Sequence, residues 1–130
     1  MTLAYGFGKA VSLPFDQAIT RVTELLQSEG FGVLTDIDVA ATMKKKLGAE
    51  MPPYRILGAC NPVLAQQAIA AEPSIGLLLP CNVVVRQDEA QQVHVEFMDP
   101  VAVLDLVRRP GIERLAGEVR ARLERVLAAL

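Results

Sequence analysis

The sequence predicts an α+β fold: a mostly antiparallel sheet with helices packed on one face. Three observations carry that expectation. Leu77–Arg86 and Gln92–Met98 are β-rich runs separated by the polar turn Gln87–Gln91, the best hairpin signal in the chain. Ile112–Leu130 is the clearest helix, with an apolar stripe of Ile112, Leu115, Ala116, Val119, Leu123, Val126, Leu127 and Leu130 opposite Glu and Arg. The element order reads β-α-β-α-β-α-β-β-α-α, and a hairpin followed by helices favours an antiparallel α+β arrangement over a doubly wound parallel sheet.

Each element has a local reason. Residues 3–13 read as a first strand, loosened by Gly6 and Gly8. Pro14 suits a helix start, where its missing N–H would lack a partner anyway. Phe15, Ala18, Ile19, Val22, Leu25 and Leu26 then share a helical face, and Gly30 supplies the stop. Phe31–Ile37 is a strand expected to put Phe31, Val33, Thr35 and Ile37 on one side. Asp38 caps a short helix to about Leu47, ended by Gly48 and Pro52-Pro53.

Tyr54–Cys60 is the next strand. Asn61 and Pro62 form a cap-plus-proline helix start, and the helix runs to about Glu72 with Pro73 closing it. Its alanines allow close packing. In Leu77–Arg86 the internal Pro80 implies an edge strand or a bulge, because proline cannot donate to the ladder. Asp99-Pro100 opens a further short helix to about Val107, broken by Arg109-Pro110-Gly111.

The 130 residues fit one domain, residues 1–130, long enough to bury a core without staples. Apolar residues make up 52% of the chain, yet no run reaches the ~18 residues of a membrane span. That surplus goes into the core and a subunit interface, so a homodimer is expected. A net charge of −2 argues against a nucleic-acid partner. The N-terminal Met1–Gly6 carries no secretory signal, which points to the cytoplasm and to two reduced cysteines.

Those cysteines, Cys60 and Cys81, are each followed by asparagine. At 21 positions apart they form no C-x-x-C pair. Cys60 precedes a helix start, whose positive end favours a thiolate. Cys81 alternates with Leu77, Leu79, Val83 and Val85 and reads as a core thiol. Two cysteines and one histidine, His94 on the outward side of its strand, fall short of a structural zinc set. Tyr5-Gly6-Phe7-Gly8-Lys9 lacks the spacing of a phosphate-binding loop and is better read as a glycine-tolerant strand. Lys44-Lys45-Lys46 reads as a solvated helix face. A single histidine gives no arguable Ser-His-Asp set.

Asn61 is explained as a cap. Asn82 is not, because asparagine is disfavoured within a strand. A buried amide there must bond across a bulge at Pro80 or face a pocket. Asn82 and Cys60 are thus the two positions with spare chemistry, and the candidate ligand-binding residues are those of the two Cys-Asn segments, Cys60, Asn61, Cys81 and Asn82.

The segments "YRILGACNP", "IGLLLPCNVVV" and "MDP", with the N-terminal "LPFDQAITRVTELLQSEGFGVLTDIDV", resemble the bacterial and archaeal family labelled domain of unknown function 302. The likeness runs over about residues 5–130. It implies an α+β fold similar to a single TATA-binding-protein-like repeat with extra helices, and a dimer. It implies no reaction and no cofactor. Two readings follow: a small-molecule or thiol-dependent (redox or sulfur-handling) module with its site at the two Cys-Asn segments, or a structural or interaction domain in which those segments only shape turns.

Overall fold

Backbone pairing gathers the strands into one sheet. The computed structural model describes residues 2–130; Met1, part of the N-terminal stretch read above for a signal, lies outside them. The strands are β1 (Thr2–Leu3), β2 (Gly6–Val11), β3 (Gly32–Asp38), β4 (Tyr54–Cys60), β5 (Cys81–Gln87) and β6 (Val93–Met98). The helices are α1 (Phe15–Ser28), α2 (Val39–Leu47), α3 (Pro62–Ala71), α4 (Pro100–Leu104) and α5 (Ile112–Ala129), with 3-10 turns at Pro73–Leu78 and Asp105–Val107. The six strands lie in the order β1-β2-β6-β5-β4-β3, and every neighbouring pair is antiparallel. The expected α+β class holds.

The first strand is shorter than its apolar pattern implied. Leu3 pairs with Gly6, so Ala4-Tyr5 become a turn and the segment folds back as β1 and β2. Gly8 stands opposite Glu96, where a β-carbon would lie only 2.8 Å from Glu96 Cα. The glycines thus serve close strand approach.

Capping occurs where side-chain chemistry placed it. Asp38 accepts from the Ala41 N–H at 2.9 Å, Asn61 from the Leu64 N–H at 3.2 Å and Asp99 from the Val101 N–H at 2.9 Å. Each satisfies a first-turn N–H that has no partner within its helix. Gly48 ends α2 in the left-handed conformation at φ 65°. The three lysines lie in the last turn of α2, which buries no residue, and Lys44 pairs with the exposed Glu50.

One face of the sheet is covered. Ala18, Val22 and Leu26 of α1 are fully buried, as are Ile112, Leu123 and Val126 of α5 to within 2%. They belong to the core that includes Leu57, Val83, Val85, Val95 and Phe97 on the strands. At about 1.5–3 kcal/mol for each large side chain fully buried, this layer supplies most of the drive to fold. No helix among the described residues is long and apolar enough to cross a membrane.

Two local expectations are corrected. Pro80 lies neither inside an edge strand nor at a bulge of β5. The ladder begins at Cys81, opposite Ala59, and β5 is interior, between β4 and β6. Without an N–H, Pro80 sits where no ladder donor is needed, and the residues before it turn in 3-10 geometry, leaving Leu77 88% exposed. In β3 a bulge lies between Val33 and Thr35, which pair with the consecutive Ala59 and Gly58. The inserted Leu34 reverses the alternation. Phe31 and Val33 join the core, while Thr35 and Ile37 are exposed.

Candidate functional site

Cys60 is the last residue of β4, and Asn61 immediately caps α3. The chain thus turns from extended to helical beside the thiol. Cys81 opens β5 directly opposite Ala59, one residue from Cys60. The ends of β4 and β5 place both cysteines around one cavity of about 340 Å³. Asn61 also lines it, as do the bulge residue Leu34 and the Leu79-Pro80 pair. The deeper wall comes from Leu64 and Ala68 of α3, Leu104 of α4, and Leu115 and Val119 of α5.

None of the lining residues is charged; the polar groups are Thr35, the Asn61 amide and the two thiols. Asn61 is 9% exposed, its Oδ1 engaged with the Leu64 N–H. Its Nδ2 packs against Gly30, where an added β-carbon would stand 3.0 Å away. Gly30 holds φ at 85°, a conformation natural to glycine, so the stop of α1 also makes room for the Asn61 amide. Arg122 of α5 reaches the same corner, donating from Nη1 to the Glu29 carbonyl at 2.9 Å.

The thiols are free and unequal. Cys60 is half-buried and Cys81 is 6% exposed. Burial, with a smaller contribution from the charge of Cys60, pushes the Cys81 thiol up to about 11. Cys81 keeps its proton at neutral pH.

Asn82 goes elsewhere. It pairs with Gly58 one step beyond Cys81, so the pleat turns it to the uncovered face. There it is exposed, so the expectation of a buried amide in need of partners does not apply. It lines a separate groove of about 340 Å³ with Tyr5, Tyr54 and Glu96. Of the four candidate residues, three therefore meet and the fourth lies across the sheet. Glu96 is paired with Arg86 at 2.7 Å, and His94, on the same face, lies 2.8 Å from Asp88. Among the described residues no three His, Cys, Asp or Glu side chains cluster as metal ligands.

Sequence reasoning missed the residues that create the space. Ala65 and Ala68 line the cavity, although the alanines of α3 read as close-packing positions. Four alanines within one ten-residue helix were the available signal, since small side chains also leave volume unfilled. Leu34 required knowledge of the bulge. A larger hollow of about 670 Å³ lies between β2 and α1, but exposed Gln17, Arg21 and Glu24 line it and neither thiol reaches it. The chemistry favours the smaller cavity.

The fold and cavity define a class: an α+β protein whose antiparallel sheet is covered on one face and carries a thiol-lined apolar cavity at the ends of two strands. The chain belongs to the family described as "Domain of unknown function DUF302", whose pattern matches residues 7–130. It is similar to the crystal structure of the uncharacterized conserved protein DUF302 from Bacillus stearothermophilus. The TM-score is 0.88 and the identity 28%, over 95% of this chain and 96% of that one. No curated protein matches the chain.

Proposed function

We propose that this protein is a small-molecule-binding module with a thiol-dependent site at Cys60, Asn61 and Cys81. The observation that carries the reading is that these three residues line one cavity of about 340 Å³, within the range of ligand sites. Cys60 is the ligand-contacting thiol, because it is half-buried where Cys81 is buried. Asn61 fixes the helix start that forms one wall. Asn82 has no part in this site.

Native mass spectrometry of freshly purified protein tests the reading. An adduct that is retained by the wild type and lost on Cys60→Ala substitution is the expected result. Bare protein, with Cys60 alkylated at the same rate before and after exposure to cell extract small molecules, would count against it.

We further propose that the protein works as a homodimer in the cytoplasm. The support is the uncovered sheet face, where Ile56 and Val84 are only half-buried and Ile37 is 49% exposed. The charges on this face, Arg86 and Glu96, are paired within the chain at 2.7 Å, so they do not oppose contact with a second copy. Sedimentation equilibrium at micromolar concentration is expected to give twice the 14.1 kDa of one chain; the single-chain mass would refute the dimer.

A further inference from the structure

We propose that the occupant of the Cys60 cavity is an uncharged apolar molecule, a medium-length alkyl or acyl chain, which rests on the reading that this cavity is a ligand site. The first ground is the lining, which has no charged side chain. An ionised group carried inside would lose its hydration and gain no counter-charge, which penalises charged ligands. The second ground is the wall. Leu64, Ala68, Leu104, Leu115 and Val119 are core side chains, each between 5% and 9% exposed, that also face the cavity. A third, independent ground lies at the rim, where the large apolar Leu34 and Ile69 are 68% and 47% exposed. Rim and interior wall are thus both apolar, and no charged residue stands among those that line the cavity.

Size sets the length. One water takes about 30 Å³ of liquid volume and a methylene group is of similar size, so 340 Å³ holds on the order of ten such groups. The polar lining residues are few, Thr35, Asn61 and the two cysteines, and the Asn61 Oδ1 is already engaged by the Leu64 N–H. A neutral polar end such as a hydroxyl, ester or thioester suits them, whereas a carboxylate or ammonium does not. The occupant is a small molecule rather than a segment of another chain, because the space is walled by α3, α5 and the ends of two strands.

The test uses the full chain and the uncharged fluorophore N-phenyl-1-naphthylamine, displaced by 1-decanol, decanoate or decylamine at pH 8. Fluorescence enhancement is expected, with 1-decanol displacing the fluorophore at least about tenfold more tightly than either charged analogue. 1-Decanol is also expected to slow iodoacetamide alkylation of Cys60. Ala65→Leu, at a half-buried position that tolerates a larger side chain, should weaken binding of the fluorophore while circular dichroism stays unchanged; Ala68→Phe provides a second, fuller block. If decanoate or decylamine binds as well as 1-decanol, the ligand class is wrong. If glutathione slows Cys60 alkylation and 1-decanol does not, the site stands and the apolar assignment falls. If none of these compounds binds or alters Cys60 alkylation, both the assignment and the ligand site fall. Binding that ignores the Ala65 and Ala68 substitutions overturns the assignment to this cavity.

Discussion

Cys60 and Cys81 carry the same sulfur chemistry in two environments. With its thiol pushed up to about 11, Cys81 is ionised to roughly one part in a thousand at pH 8. In single-cysteine variants, Cys60 (in Cys81→Ser) should therefore react with iodoacetamide at least about tenfold faster than Cys81 (in Cys60→Ser); equal rates would remove the distinction. Because the folded form holds the Cys81 proton more tightly than the unfolded chain does, its stabilising effect is complete below pH 9. It is lost as pH rises from about 9 to about 11, by about 2–3 kcal/mol. Urea midpoints across that window should fall more steeply in the wild type than in Cys81→Ala. The two asparagines separate in the same way. Asn61→Ala should cost about 1 kcal/mol through the lost cap, and Asn82→Ala no more than about 0.5 kcal/mol, because its side chain is exposed.

At the scale of elements, the cavity is made by the way strands end. Gly30, Asn61 and Pro80 each sit just outside a regular element, and each shapes a wall or its support. Gly30→Ala combines a left-handed φ of 85° with a contact at 3.0 Å to the Asn61 amide. It should destabilise the fold by about 1–3 kcal/mol, and urea unfolding measures it. Most elements were legible because their causes are local: Asp38, Asn61 and Asp99 announce their helices, and the stripe of α5 announces its buried face. The rest was not, because its cause is a neighbour. The Leu34 bulge exists only in the pairing of β3 with β4. The exposure of Asn82 depends on which face of the sheet the helices cover. Cys60, Asn61 and Cys81 could be named from the sequence, but the Leu104, Leu115 and Val119 side chains that complete the cavity belong to helices far along the chain, and the neighbouring alanines of α3 read as close-packing positions.

For the whole molecule, one sheet face is covered by helices and the other is not. Helices pack on the face that holds Val83, Val95 and Phe97, and the cavity opens at the end of that layer. The other face, with Val84 and Glu96, carries the proposed contact between copies. Truncating the shared core should lower stability without touching the cavity lining or the uncovered face directly. Leu123→Ala, at a fully buried position, is expected to cost about 2–5 kcal/mol in urea unfolding, and a smaller loss would mean that the helix layer is less tightly packed than described.

The Cys60 cavity, and not the uncovered face, is the proposed seat of an apolar small molecule. Methyl-resolved NMR during titration with 1-decanol tests it most directly, since leucine and valine methyls line the cavity wall and isoleucine and valine methyls stand on the open face. Concentration-dependent shifts at Leu64, Leu104, Leu115 and Val119, with Ile56 and Val84 unmoved, are the expected result. Shifts confined to Ile56 and Val84, or none at the cavity wall at saturating alcohol, would contradict it.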